Sequence, residues 1–377
     1  MKYLEPGRLE QNIEKIAQSD LIQNKVFGSS YCVMQGEKTV YQKCFGRVSV
    51  GEAAAVTEET LFRLASMTKP ITAVATLILA ERKQLALEAA VSDYLPEFAD
   101  IHVITVDGQN LGIPRRQPVI RDLLTHTSGI GSENLKMEKR TAADMSSLEA
   151  YIDFSVRSGL DFEPGSRQLY SGVAAFDVLT KIIELVSGMD YLAFLQKEIL
   201  EPCGMHDTTF IPSEEQWGRM IDMHTRTEGR NAVHPMKKGC VFGEFPCTHY
   251  LGGAGLVSTL GDYRKFAQML LNKGRVNVHR LLSEETLQLM RTPWVSKDIM
   301  PGAEQWGLGV RVITDEAYGS LPVGSFGWSG AYGSHFWVDP ENEIVAVYMK
   351  NSMVDGGAGN HSARDLEKAV YSALVNE

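Results

Sequence analysis

The two ends of this 377-residue chain carry strand-like segments, whereas its middle carries helix-like ones. Near the start, KVFGSSYCVMQ and KTVYQKCFGRVSV are two strand-like runs joined by a tight turn at Gly36 and Glu37. Near the end, four short runs rich in aromatic and β-branched residues follow one another: WGLGVRVI, GSFGWSG, GSHFWVDP and EIVAVYMKN. This distribution predicts an α+β fold in which one antiparallel β-sheet is built from both chain ends and is flanked by helices.

Helix-like segments lie between these ends and after them. ITAVATLILAERKQ and VAAFDVLTKIIELVSG place apolar residues at helical spacing, and Gly188 is a typical helix terminator. The last segment, SARDLEKAVYSALVNE, predicts a helix that covers the sheet. We therefore expect one unit spanning residues 1–377, with a sheet-containing region at 1–65 and 255–377 and a mostly helical region at 66–254.

Residues 217–250 differ from the rest of the helical region. They show little periodicity and contain several Gly, Pro and His residues. An irregular segment of this length inside a compact protein is often functional, so we predict a binding loop or lid.

Charge and targeting signals limit the partners and the compartment. The formal net charge of −10 argues against nucleic-acid or anionic-membrane partners, which need clustered Lys and Arg. The charged segment MKYLEPGRLEQNIEKIAQSD lacks the apolar core of a signal peptide, and no run of about 18 apolar residues occurs. The five cysteines form no regular framework. These features predict a cytoplasmic protein with reduced thiols. The oligomeric state stays open.

The stretch LASMTKP holds a candidate catalytic pair. Ser66 and Lys69 are three residues apart, so on a helix they share one face. Pro70 is compatible with a helix only in its first turn, which predicts that the helix begins at about Ser66. A serine needs a nearby base to become a nucleophile, and a lysine can supply or assist that base. By itself the pair is more simply explained as a helix-capping serine followed by a surface lysine.

Other segments of the chain support a catalytic interpretation of the Ser66–Lys69 pair. FRLASMTKPITAVA, EPGSRQLYSGVAAFDVLTKIIELVSG and GWSGAYGSHFWVDP occur in this order, together with IRDLLTHTSGI, EPCGMHDTTF and GGAGLVSTLGDYRKFAQMLLNKG. From about residue 20 onward the chain resembles the class C β-lactamase and penicillin-binding-protein-like superfamily, and most closely the family VIII carboxylesterases. The resemblance implies a serine hydrolase that forms an acyl-enzyme and needs no metal or organic cofactor.

The resemblance also implies roles for individual residues. Ser66 becomes the nucleophile, and Lys69 and Tyr170 handle its proton. Free tyrosine and lysine side chains both titrate near pH 10, and the sequence leaves open which of the two is deprotonated. The backbone N–H groups of Ser66 and Ala331 would form the oxyanion hole. Substrate-binding positions are implied at Gly172, Trp328, Ser329 and Gly330.

Two positions depart from the β-lactamase pattern. Gly172 stands where those enzymes carry an Asn, and Trp328 stands where they carry a Lys. Both changes remove groups suited to a β-lactam or a peptide C-terminus, which favours small esters as substrates. The alternatives are a β-lactamase or D-amino-acid peptidase or amidase, an acyltransferase that uses the same acyl-enzyme, or a non-catalytic protein that binds acyl compounds.

Other candidate sites are weaker. No G-x-S-x-G elbow, H-E-x-x-H motif, phosphate-binding loop or dinucleotide fingerprint is present. His126 in THTSG is expected to make a structural hydrogen bond rather than to act as a base. A loose group with no common zinc spacing comprises His234, Cys240, Cys247 and His249. We therefore expect no metal.

Overall fold

Both ends of the chain contribute to a seven-stranded antiparallel sheet, as predicted. The computed structural model describes residues 2–133, 139–236, 239–243, 249–357 and 360–376. In spatial order the sheet consists of β12 (Glu304–Trp306), β13 (Arg311–Ile313), β14 (Phe326–Ser329), β15 (His335–Asp339), β16 (Ile344–Met349), β2 (Gly28–Gln35) and β3 (Lys38–Gly46).

The other strands form short antiparallel pairs. These pairs are β1 (Lys2–Leu4) with β17 (Leu374–Asn376), β4 (Phe62–Arg63) with β9 (Val257–Ser258), β5 (Val103–Ile104) with β6 (Asn110–Gly112), β7 (His224–Thr227) with β8 (Arg230–Val233), and β10 (Arg275–Val276) with β11 (His279–Arg280). The pair β4–β9 brings together the two points at which the chain passes between the expected sheet-containing and helical regions.

The helices are α1 (Pro6–Ile22), α2 (Thr68–Glu81), α3 (Ile120–Leu124), α4 (Leu148–Ser158), α5 (Ala174–Ser187), α6 (Tyr191–Leu195), α7 (Glu201–Cys203), α8 (Glu214–Gly218), α9 (Leu260–Leu271), α10 (Glu284–Met290) and α11 (His361–Ser372). A π-helical turn (Gln196–Leu200) links α6 to α7, and 3-10 turns lie at Ala65–Met67, Val91–Asp93, Pro96–Phe98 and Glu316–Tyr318. Within the described ranges, no helix combines the length and apolar character needed to cross a bilayer.

Helices cover both faces of the sheet. On one face α1 and α11 bury side chains such as Ile13 and Leu366 against Tyr31 and Trp337. On the other face the core continues through α9 into the helical region, where α2 lies at the centre. Residues 68 to 79 of α2 are all buried, because other elements surround this apolar helix on every side. The α+β fold class is therefore confirmed.

Three local predictions need correction. WGLGVRVI forms two strands rather than one, because Gly309 adopts a φ of 74° and turns the chain between β12 and β13. The last predicted helix ends at Ser372, after which β17 pairs with β1. Residues 217–250 are not wholly irregular, since they include the β7–β8 hairpin. Residues 237–238 and 244–248 of that segment lie outside the described residues.

Candidate active site

Ser66 lies where a strand ends and the central helix begins. It belongs to the 3-10 turn Ala65–Met67, directly before α2, and it is buried. Pro70 is the third residue of α2, so the predicted first-turn position is confirmed, while the helix proper begins two residues after Ser66. Ala65 has a φ of 46°, which is a strained conformation for a residue with a Cβ atom. The turn is anchored by the Leu64 N–H, which donates to the Leu256 carbonyl.

Lys69 is completely buried, and its ammonium group has three acceptors. Nζ lies 3.4 Å from Ser66 Oγ, 2.6 Å from the Gly172 carbonyl oxygen and 2.9 Å from the Gly253 carbonyl oxygen. A protonated lysine has three N–H donors and no acceptor, so these three oxygens match the ammonium form. Buried charges are otherwise costly, and here polar partners compensate the charge.

Tyr170 lies beside this ammonium group. The Lys69 Nζ atom is 4.9 Å from the centre of the Tyr170 ring. The Trp328 Nε1–H donates a hydrogen bond of 3.1 Å to the Tyr170 phenol oxygen. The ring centres of Trp306 and Trp328 lie 5.8 Å and 5.4 Å from that of Tyr170. The structure therefore brings Ser66, Lys69, Tyr170 and Trp328 together.

His126 holds the loop that carries Tyr170. Its Nδ1 atom accepts a 3.1 Å hydrogen bond from the Ser171 N–H, and its carbonyl accepts one from the Leu169 N–H. Burial, together with the Lys69 charge, holds the pKa of His126 well below its usual range. The ring is therefore neutral near pH 7, with its proton on Nε2. The predicted structural hydrogen bond is confirmed.

The end of β14 lies against the turn that carries Ser66. The Gly330 N–H donates to the Ser334 carbonyl, and a Cβ atom at Gly330 would overlap the Leu64 carbonyl oxygen. Only glycine permits this close approach. Within the described ranges, the N–H groups of Ser66 and Ala331 donate to no protein acceptor. Two candidate oxyanion donors are therefore available on adjacent segments.

Ser329 points away from these groups. Residues 328 and 329 are neighbours in one strand, so their side chains lie on opposite faces of the sheet. Ser329 Oγ lies 2.7 Å from His335 Nδ1, and His335 Nε2 lies 3.0 Å from Glu367 Oε1 on α11. These three side chains are buried. The Ser329 hydroxyl is therefore part of a structural network beneath α11, and only its backbone, at the end of β14, remains near the site.

Gly172 contributes its carbonyl oxygen to Lys69, and its Cα faces open space. An added Cβ atom would meet nothing within 4 Å. The glycine at this position is therefore not required by packing.

Part of the 217–250 segment packs beside the nucleophile turn. Met223, Tyr332 and Ala65 form one small apolar cluster, with Phe242 packed against it. The Gly243 N–H donates a 3.0 Å hydrogen bond to the Tyr332 hydroxyl. This contact places described residues of the predicted binding loop next to the candidate site.

The suggested zinc group is not assembled in the described part of the chain, where no three His, Cys, Asp or Glu side chains are placed to hold a metal ion. Cys247 lies outside the described residues. His249 Nε2 instead lies 3.9 Å from Asp177 Oδ2. Burial raises the pKa of the Asp177 carboxyl well above its usual range, although the Lys69 charge opposes this shift.

Comparison with known proteins shows which family the chain belongs to. The beta-lactamase family model matches residues 9–370. The chain belongs to the beta-lactamase family. It is 30% identical to Protein Rv1367c of Mycobacterium tuberculosis, with 85% of each chain covered. It is 28% identical to esterase EstB of Burkholderia gladioli, with 98% of this chain and 97% of the esterase covered.

The fold comparison agrees with the family. The solved structure described as EstCE1, a hydrolase with promiscuous acyltransferase activity, superposes with a TM-score of 0.83 at 23% identity, covering 97% of this chain and 99% of that one. The expected β-lactamase-like fold is therefore confirmed. This beta-lactamase-family chain is a hydrolase.

Sequence reasoning missed two site residues of this beta-lactamase-family hydrolase. Gly253 supplies a carbonyl oxygen to Lys69, and the ring of Trp306 lies 4.4 Å from that of His126 and 4.5 Å from that of Trp328, centre to centre. The glycine-rich GGAGL was a signal for close backbone approach, but nothing in the sequence says which side chain approaches. Trp306 lies in a predicted strand without any mark of function.

Proposed function

We propose that this protein is a serine carboxylesterase that acts on small, uncharged esters through an acyl-enzyme on Ser66. The observation that carries the proposal is the triple contact of Lys69 with Ser66 Oγ and the carbonyl oxygens of Gly172 and Gly253. A buried ammonium group beside a serine hydroxyl and a tyrosine is an arrangement suited to nucleophilic catalysis.

The geometry supports Tyr170 as the proton acceptor. An ammonium group with three acceptors has no lone pair for the Ser66 proton. Lys69 donates to Ser66 Oγ, so that proton leaves in another direction. The phenol oxygen of Tyr170 belongs to the next titratable group, whose ring centre lies 4.9 Å from Lys69 Nζ.

Acylation and deacylation then both pass a proton through Tyr170. The Tyr170 phenolate takes the Ser66 proton while Oγ bonds to the ester carbon and the carbonyl oxygen becomes an oxyanion. As the ester C–O bond breaks, Tyr170 returns the proton to the leaving alcohol. Water then attacks the acyl-enzyme and gives its proton to Tyr170, which passes it to Oγ as the acid departs. The N–H groups of Ser66 and Ala331 stabilise both oxyanions, with about 3 to 4 kcal/mol typical for one such donor.

The surroundings of the pair favour an uncharged substrate. Lys69 is already saturated by protein oxygens, and position 328 carries an indole rather than an ammonium group. The aromatic rings of Trp306, Trp328 and Tyr170 pack against one another beside the pair. An anionic lactam or peptide terminus would lack a cationic partner among these side chains.

The test compares the protein with its Ser66→Ala variant on p-nitrophenyl butyrate and on a chromogenic cephalosporin. We expect ester turnover that the variant loses, with little lactam turnover in either protein. The variant removes one hydroxyl, so its thermal unfolding should stay close to that of the parent. Ester turnover that survives in the variant would reject the Ser66 mechanism. Dominant lactam turnover would favour the β-lactamase alternative, and binding without turnover would favour a non-catalytic acyl-compound-binding protein.

A second candidate is acyl transfer from the same intermediate. The apolar cluster of Ala65, Met223 and Tyr332, with Phe242 against it, limits water beside Ser66 and favours an alcohol as acceptor. The assay with added small alcohols distinguishes the two activities. Ester product that exceeds free acid at low alcohol concentration would identify a transferase, whereas acid as the main product supports the esterase.

A further inference from the structure

Trp328 makes a hydrogen bond to Tyr170 that aromatic packing alone would not require. Its side chain is 9% exposed, and its Nε1–H donates to the Tyr170 oxygen at 3.1 Å. An indole N–H is a donor and never an acceptor, so the Tyr170 oxygen accepts in this pair. Within the described ranges, the Tyr170 hydroxyl donates to no protein acceptor. In this hydrogen bond the Tyr170 oxygen therefore acts only as an acceptor.

The charges around Tyr170 come from several elements. Lys69 on α2 faces the ring and is cationic. His126, whose ring centre lies 4.5 Å from that of Tyr170, is held neutral by burial. Asp177 on α5 interacts with Lys69, and burial favours its neutral acid. An anionic Tyr170 would thus be balanced by one cation and one indole donor.

We infer that Trp328 is a positioning residue that stabilises deprotonated Tyr170 through its indole N–H, so that Tyr170 can accept the Ser66 proton. This inference rests on the proposed function. A hydrogen bond to a charged oxygen is stronger than one to a neutral oxygen, so the donor favours the anion over the phenol. Because the indole is neutral, it does so without adding a charge that would attract anionic substrates.

The experiment measures kcat and KM for p-nitrophenyl butyrate against pH in Trp328→Phe and in Trp306→Phe. The first variant keeps an aromatic ring and removes the N–H donor. The second, the control, makes the same change in the other tryptophan that packs against the Tyr170 ring. We expect Trp328→Phe to lower kcat about tenfold at neutral pH and to move the acidic limb of the kcat/KM profile upward by about one pH unit. Its activity should approach that of the parent at alkaline pH. In Trp306→Phe the limb should stay in place.

Two further variants separate this role from structural ones. Trp328→Lys restores a donor, and we expect its acidic limb to lie below that of Trp328→Phe. Asp177→Asn should leave the acidic limb of the kcat/KM profile in place, because that limb reports Tyr170 and not Asp177. A limb unmoved in Trp328→Phe, with only KM or thermal stability changed, would overturn the inference. A limb abolished in Asp177→Asn would overturn it as well.

The Ser66→Ala assay tests the esterase activity, and the pH profile of Trp328→Phe tests the role of Trp328. If Ser66→Ala retains ester turnover, the proposed function fails. If Ser66→Ala is inactive while Trp328→Phe keeps the parent limb, the esterase proposal stands and the role of Trp328 alone is rejected.

Discussion

At the scale of single residues, the buried charge of Lys69 depends on two carbonyl groups that lie far away along the chain. Gly172 and Gly253 are 103 and 184 residues from Lys69 in sequence. Removal of the ammonium group would leave both carbonyl oxygens without their donor, and a buried unpaired polar group costs about 1 to 3 kcal/mol.

We therefore expect Lys69→Met to lose ester turnover by about three orders of magnitude or more and to lower the free energy of unfolding by about 1 to 3 kcal/mol. Steady-state assays and urea unfolding measure the two effects. Lys181→Met, which removes an ion pair with Glu149 at the surface, is the matched control and should change stability by less than about 1 kcal/mol. Substantial turnover in Lys69→Met would contradict the proposed role.

Two glycines of the site offer a contrast at the same scale. Gly172→Ala adds a methyl group into open space, so stability should change by less than about 1 kcal/mol. Gly330→Ala forces a methyl group against the Leu64 carbonyl, so we expect about 1 to 3 kcal/mol of destabilisation and a loss of kcat as Ala331 shifts. Equal unfolding midpoints for the two variants would refute this prediction.

At the scale of secondary-structure elements, Glu367 on α11 links the helix to β15 and β13. Burial alone would raise the pKa of the Glu367 carboxyl, but the hydrogen bond from His335, the charge of Arg311 and the hydrogen bond from Ser320 lower it to about 2. Because the folded pKa lies below the ordinary value of 4.5, this group stabilises the fold above that pH.

The stability from Glu367 should disappear as the pH falls from about 4.5 towards 2, and its size should be about 3 kcal/mol. In Glu367→Gln this part of the pH dependence should be absent, and the variant should be less stable than the parent at neutral pH. Unfolding in urea at several pH values measures both quantities. An unchanged pH profile in Glu367→Gln would show that other groups govern acid unfolding.

Elements were predictable where their pattern is local. The hairpin β2–β3, the helix α5 with Gly188 in the left-handed conformation and the strands β14 to β16 follow from alternation, helical spacing and turn residues. The split of WGLGVRVI and the terminal strand β17 did not follow, because the first depends on the close contact of Gly309 with Ala73 and the second on pairing with β1.

At the scale of the whole molecule, segments distant in sequence meet around Ser66. Tyr332, which follows the oxyanion-hole candidate Ala331, receives the Gly243 N–H and packs with Met223. This contact joins the sheet to the 217–250 segment. The expected division into regions at 1–65, 66–254 and 255–377 stays a prediction, as does the cytoplasmic location.

Loss of the Tyr332 hydroxyl should loosen this junction. We expect Tyr332→Phe to raise KM several-fold with a smaller change in kcat, and to cost about 1 kcal/mol of stability. Hydrogen exchange should show faster exchange of the Gly243 amide. Tyr3→Phe, on the partly exposed strand β1, serves as the control. An unchanged Gly243 amide in Tyr332→Phe would argue against the junction.

The sequence alone carries the features that depend on neighbours along the chain. It placed Ser66 and Lys69 within one turn, it set the alternation of the strands, and it carried the motifs of the beta-lactamase family. Tertiary packing sets which oxygens surround Lys69, brings the Trp306 ring against Trp328 and places the Ser329 hydroxyl beneath α11. These features arise from the register and packing of segments far apart in sequence, and local side-chain preferences carry no information about such contacts.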